Sequence, residues 1–137
     1  VVYKFKARLL STEDISAAMV ANSVLTDPTY MYSWDTALFR CVTPAYGPQW
    51  VCEQGYSSAR YTRVETGVPL DTAWHVFKIE MLKAETRFYI DGDLVATITS
   101  NIRRHAIPAF HTSVALKTHA DVQKQMKVSW LVVGLVW

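Results

Sequence analysis

Arg87-Phe88-Tyr89-Ile90-Asp91-Gly92-Asp93-Leu94-Val95-Ala96-Thr97-Ile98-Thr99 is the stretch that decides the fold. Residues 87–90 and 94–99 flank Asp91-Gly92, the dipeptide best suited to the consecutive positive φ angles of a type I′ turn, so the segment predicts a tight β-hairpin. In its first arm Phe88 and Ile90 take the core side and leave Tyr89 on the other.

Working outward, the same period of two recurs. Residues 74–82 place His75, Phe77, Ile79 and Met81 on one face and Lys78 and Glu80 on the other. Residues 3–9 alternate strictly, with Tyr3, Phe5, Ala7 and Leu9 against Lys4, Lys6 and Arg8. Residues 15–24 read as a buried strand leading to a turn at Asp27-Pro28. Residues 59–65 form a strand closed by Gly67 and Pro69, and further strands lie near residues 109–117 and 126–133. Residues 36–43 and 49–54 flank Pro44-Ala45-Tyr46-Gly47-Pro48, a breaker-rich stretch that suits a hairpin loop and excludes a continuous helix. A turn centred on Tyr46-Gly47 sets Cys41 opposite Cys52, Arg40 opposite Glu53 and Val42 opposite Val51. About ten short strands at this spacing predict an all-β, antiparallel two-sheet sandwich. With no internal repeat, low-complexity tract or linker, the prediction is a single domain over residues 1–137.

Composition bounds the partners. The chain has 137 residues, half of them apolar, enough for one core without a metal. Fourteen basic against twelve acidic residues leave +2, too little to make nucleic acid or an anionic bilayer the expected partner. No apolar run approaches the roughly 18 residues of a membrane-spanning helix. The chain opens in strand-like sequence without an initiator Met or a signal peptide, and reads as a processed or excised piece. Five Trp, seven Tyr and five Phe suit cross-strand packing in a β protein and also the stacking of sugar rings.

Three stretches resemble the concanavalin A-like lectin/glucanase superfamily in order and spacing: Trp74-His75-Val76-Phe77-Lys78-Ile79-Glu80, then Arg87 to Val95 with its Phe88-Tyr89-Ile90-Asp91-Gly92 hairpin, then Lys127-Val128-Ser129-Trp130-Leu131-Val132-Val133. Laminarinase-type glycoside hydrolases and laminin-G-like modules carry a similar tryptophan-led strand, hairpin and closing strand with a central Trp. The likeness covers the C-terminal half in motifs and the first half in strand pattern. It implies a jelly roll of two curved sheets, trimmed in some strands or loops, whose concave face holds glycans in family members. That fold hosts hydrolases, lectins and structural parts alike, so it does not fix function.

The chemistry required for hydrolysis is missing from the sequence. Retaining glycosidases need two carboxylates about 5 Å apart, and the hydrolases this chain resembles carry Glu-x-Asp-x-x-Glu on a strand. Here Glu13, Glu53, Glu65, Glu80 and Glu85 are followed two residues later by Ile15, Gly55, Gly67, Leu82 and Arg87. Glu53 reads first as a cross-strand partner of Arg40 and second as a lone general base. Asp91 and Asp93 read as turn residues before calcium ligands. His75, His105, His111 and His119 lack zinc-site spacing, and no phosphate loop or nucleophile motif occurs. The expectation is therefore no enzyme, no metal and no cofactor.

For binding, the candidates are Trp34, Trp50, Tyr61 and Tyr89 as sugar-stacking platforms, with core packing as the alternative for each. Arg103-Arg104-His105 is a small basic loop, read as a solvated turn before an anion site. Cys41 and Cys52 are a candidate disulfide, with two buried thiols as the alternative; a bridge would imply an extracellular or particle-surface location. In the last strand Val128, Trp130 and Val132 are expected to face the core, leaving Leu131 and Val133 apolar on the opposite face, followed by Leu135, Val136 and Trp137. A strand apolar on both faces is normally covered on both, so Leu131, Val133, Leu135 and Trp137 are candidates for contact with another subunit or domain. Two readings follow: a non-catalytic, lectin-like module binding glycans or a surface partner, and a structural or assembly subunit of a particle, fibre or adhesive.

Overall fold

Alternation along the sequence becomes antiparallel strands in the computed structural model, which describes residues 1–22, 35–57, 59–103, 112–118 and 124–134. The strands are β1 (Val2–Leu9), β2 (Ile15–Ala21), β3 (Thr36–Val42), β4 (Gln49–Ser57), β5 (Arg60–Pro69), β6 (His75–Met81), β7 (Thr86–Ile90), β8 (Asp93–Ile98), β9 (Thr112–Thr118) and β10 (Met126–Gly134). One helical turn, α1 (Thr43–Tyr46), joins β3 to β4. Two five-stranded sheets result, ordered β10-β1-β6-β7-β8 and β5-β4-β3-β2-β9, here the first and second sheet. They form the antiparallel two-sheet sandwich that the patterning predicts, in the jelly-roll arrangement that the resemblance implies.

The core lies between the sheets. Tyr3 and Phe5 of β1, Phe77 and Ile79 of β6 and Phe88 of β7 meet Met19 of β2, Phe39 of β3 and Trp50 of β4. Phe39 packs edge-on to Phe77 and Phe88, with centroids 5.2 and 5.3 Å apart, and Trp50 packs edge-on to Phe77 at 4.8 Å. Each such pair adds about 0.5–1.5 kcal/mol beyond simple burial. At one end the contact between sheets is polar: Thr86 donates to Gln54 Oε1 at 2.7 Å and Gln54 Nε2 donates to Asp35 at 2.9 Å. All three residues are buried, and satisfied polar groups of this kind fix the stacking of the sheets. The β7–β8 hairpin turns on Asp91 (φ 52°) and Gly92 (φ 91°), as its sequence requires.

Two registers differ from expectation. Because Thr43–Tyr46 winds into a turn of helix, the β3–β4 pairing moves by two residues: Phe39 lies opposite Cys52, Arg40 opposite Val51 and Leu38 opposite Glu53. A shift of two keeps every side chain on its face, so both cysteines still point into the core, but they are no longer directly opposed. Cys41 and Cys52 are free thiols rather than a disulfide. Burial pushes the Cys41 thiol up to about 12, and burial followed by the neighbouring Glu53 raises Cys52 as well.

The second difference is a β-bulge in β10. Ala7 lies opposite Val128 but Lys6 lies opposite Trp130, so one residue is inserted. Beyond it the phase inverts. Leu131 and Val133 fall opposite Phe5 and Tyr3, on the core side, and Trp130 and Val132 fall opposite Lys6 and Lys4, on the outside. Val133 packs against the core, whereas Trp130 and Val132 are exposed.

Candidate functional site

The outer face of the second sheet is closed over its middle strands. Ser16, Ala18 and Val20 of β2, Leu38 and Arg40 of β3, and Val51 and Glu53 of β4 are all buried. β2 and β3 are buried at every position, the pattern of strands covered on both sides. Glu53 is enclosed here: its Oε1 accepts from Arg40 Nη2 at 2.7 Å and from Arg63 Nε at 2.5 Å. Arg63 stands directly opposite on β5 and Arg40 reaches diagonally from β3, so the ion pair expected from the sequence forms despite the changed register. Glu53 Oε2 is buried without a hydrogen-bond partner among the described residues.

At the β5 edge this cluster reaches the surface. The Arg63 guanidinium lies 4.3 Å from the Tyr46 ring centroid and 5.1 Å from that of Tyr61, which is 38% exposed. Gly55 lets β4 and β5 approach: a Cβ there would lie 2.5 Å from the Tyr61 Cβ and 2.7 Å from the Arg60 carbonyl oxygen. Only glycine fits, and the close approach holds Tyr61 beside Arg63.

The outer face of the first sheet is open. Register aligns Val132, Lys4, Lys78 and Tyr89 across β10, β1, β6 and β7, and sets Trp130 beside Lys6. Trp130 is 37% exposed, and Trp74, just before β6, is 40% exposed. Lys6 Nζ lies 6.0 Å and Arg8 Cζ 5.6 Å from the Trp74 ring centroid, so cation–π contacts fix its orientation. Lys78 Nζ sits 3.8 Å over the Tyr89 ring and pairs with Glu80 Oε1 at 2.8 Å, and the Tyr89 hydroxyl donates to Glu80 Oε2 at 3.0 Å. Burial raises the Glu80 pKa, but the bonds from Lys78 and Tyr89 outweigh it and hold the carboxylate below its ordinary range. A groove of about 310 Å³ opens between Val2, Lys4, Lys78, Glu80, Val132 and Gly134.

Where β6 begins, His75 is clamped by two carboxylates. Its Nδ1 is 2.5 Å from Asp91 Oδ2 and its Nε2 2.7 Å from Asp71 Oδ1. Burial opposes the charged ring, but the bonds to Asp91 and Asp71 prevail and raise its pKa. Asp91 Oδ1 also accepts from the Val76 amide at 2.8 Å, so the hairpin aspartate anchors its neighbouring strand.

The sequence candidates disperse. Trp50 belongs to the core, because β4 turns it toward Phe77, and is no surface platform. Tyr61 lies on the edge of the second sheet and Tyr89 on the outside of the first, so they form no common site. Leu131 and Val133 lie on the inward side of β10, for the bulge described above, although Leu131 at this sheet edge keeps 37% of its surface exposed. Trp34, Arg104, His105, His111, His119, Leu135, Val136 and Trp137 lie outside the described residues. Arg103 is described: its amide donates to Asp35 at 3.1 Å. Among the described residues no group of three or more acidic, histidine or cysteine side chains is arranged to hold a metal.

Trp74 and Trp130 went unnoticed as surface aromatics. Trp74 was discoverable, since Phe77 and His75 point inward and an alternating strand turns its predecessor out. Trp130 was not, because the bulge leaves no mark in the sequence.

No family model and no curated protein matches the chain. Solved structures do. It superposes on the carbohydrate binding module CBM66 from Bacillus subtilis with a TM-score of 0.56 at 10% identity, covering 93% of this chain and 70% of that one. A Bacillus licheniformis β-glucanase gives 0.57 at 13% identity, over 91% of this chain and 61% of that one. A glycoside hydrolase family protein from Mycobacterium thermorestibile gives 0.62 at 14%, over 96% and 61%. The chain thus spans 70% of the module and 61% of each of these two hydrolases. At such identities the likeness is one of fold, and that fold is the concanavalin A-like sandwich.

Proposed function

We propose that this concanavalin A-like sandwich is a non-catalytic glycan-binding module whose working surface is the outer face of the first sheet. The observation that carries the reading is the exposure of Trp74 and Trp130 on one face, beside the Lys4–Glu80 groove. Flat apolar rings stack on the C–H faces of sugars, and a groove that mixes ammonium and carboxylate groups offers hydroxyls both donors and acceptors. The kinship in fold to a carbohydrate binding module supports it.

The non-catalytic part of this reading draws its support from the second sheet. Glycoside hydrolysis needs an accessible pair of carboxyl groups. Glu53 has no exposed surface and two arginines hold one of its oxygens, so no substrate reaches it. The test is a binding panel of neutral and charged polysaccharides, with reducing ends assayed in parallel. Selective binding that weakens about tenfold in Trp130→Ala or Trp74→Ala, without new reducing ends, is the expected result. Cleavage, or binding indifferent to both tryptophans, would refute it.

A second reading, an assembly subunit, draws on β10. It is an edge strand with Val128, Trp130, Leu131 and Val132 exposed, the kind of edge that pairs with another chain. Ordered oligomers that dissolve on Val132→Lys, together with silence on the glycan panel, would favour it.

A further inference from the structure

We infer that the ligand of the first sheet's outer face is an anionic glycan, one bearing sulfate or carboxylate groups; this rests on the glycan-binding reading and narrows it to a substrate class. Charge on this face is lopsided in a way that the net +2 of the chain conceals. Lys78 is matched by Glu80 and Arg87 by Glu85. Lys4, Lys6, Arg8 and Lys127 make no ion pair among the described residues. Register sets Lys127 opposite Arg8, so the four cations share one face and form a stripe along β1. Successive outward residues of a strand stand about 7 Å apart, so Lys4 to Arg8 spans about 14 Å, the reach of a short run of sugar units.

Trp130 flanks the stripe from β10 and Trp74 from the start of β6, both at the level of Lys6 and Arg8. Rings therefore flank the cations on both sides of a path that continues into the groove beside Lys4. A linear anionic glycan matches each element: ring faces for the tryptophans, acid groups for the ammoniums, hydroxyl donors for the Glu80 carboxylate. A second copy of the face would set like charges together. A phosphodiester backbone or an anionic bilayer would bring negative charge, with few hydroxyl donors, against Glu80.

The test compares dextran with dextran sulfate, and neutral with carboxylated glucan, by calorimetric titration of the full chain. Single-stranded DNA and phosphatidylserine vesicles serve as competing anions. The charged polymer is expected to bind at least about tenfold tighter than its neutral counterpart, as loss of one charge-assisted contact implies, and to weaken with salt. Lys4→Gln with Lys6→Gln should abolish that preference; Lys127→Gln, at a position outside both the groove and the Trp74 contacts, should reduce it while leaving the melting temperature and any neutral-glycan binding in place. Should the lysine pair unfold the chain, the Lys127→Gln variant and the salt series carry the test. Equal binding of charged and neutral polymers through Trp130 overturns the anionic class but keeps the glycan reading. Binding of DNA or vesicles as tight as that of the sulfated polymer overturns the class as mere charge attraction, and no glycan binding at all overturns both.

Discussion

The outward faces of the two sheets come from the same alternation and end in opposite states. On the second sheet, Ala18, Val20 and Leu38 form a small buried cluster, and the charged pair Arg40–Glu53 is sealed beside it. On the first, Lys4, Lys6, Trp130 and Val132 occupy the equivalent outward positions and remain at the surface. Short apolar side chains let a sheet face be covered, whereas long charged ones keep it wet. In this chain the charge that ends up inside is structural, and part of the charge that stays outside makes no ion pair among the described residues.

Removing Glu53 breaks that contrast most severely. Glu53→Ala leaves a buried guanidinium without its counterion and should cost about 5 kcal/mol, the upper end for a broken buried pair because Arg63 loses its partner too. Urea unfolding measures it; a loss below about 1 kcal/mol would mean that water already reaches the pair.

Trp50→Ala sharpens the contrast next. As a core residue packed on Phe77, it should cost about 3–5 kcal/mol. Affinity of the remaining folded fraction for any glycan should not change. Loss of affinity at unchanged stability would return Trp50 to the surface role that its aromatic ring suggested.

The smallest effect concerns pH. His75 has a raised folded pKa, so its contribution is complete below the ordinary histidine value of 6.5 and is lost as pH rises through the raised one. Asp71, lowered chiefly by its bond to His75, contributes above the ordinary carboxylate value of 3.8 and loses that contribution as pH falls through the depressed one. Stability from the clamp should therefore peak between these ranges and decline as pH rises from the ordinary histidine value through the raised one. His75→Gln should flatten the decline in urea midpoints; an unchanged slope would place the titration elsewhere.

Strand identity was readable because it depends on local alternation and turn chemistry. Asp91-Gly92, the Tyr3–Leu9 alternation and the unbroken burial of Ile15–Ala21 each announce their role. Register was not, because it depends on insertions whose local sequence is ordinary. Thr43–Tyr46 as one helical turn moved the β3–β4 pairing by two, and one extra residue in β10 exchanged the faces of Trp130 and Leu131. The first shift preserved every face and cost only the cysteine pairing. The second moved a tryptophan from the expected core to the surface, and with it the candidate site. A likeness that rests on residue order carries the strand but not its phase.

The most direct test of an open binding face opposite a sealed one is amide and indole shift mapping of an isotope-labelled chain titrated with a sulfated oligosaccharide. The account predicts shifts at the Trp74 and Trp130 indoles and along Lys4 to Arg8, with Arg40, Val51 and Glu53 unmoved. Shifts centred on β3 and β4, with both indoles silent, would contradict it.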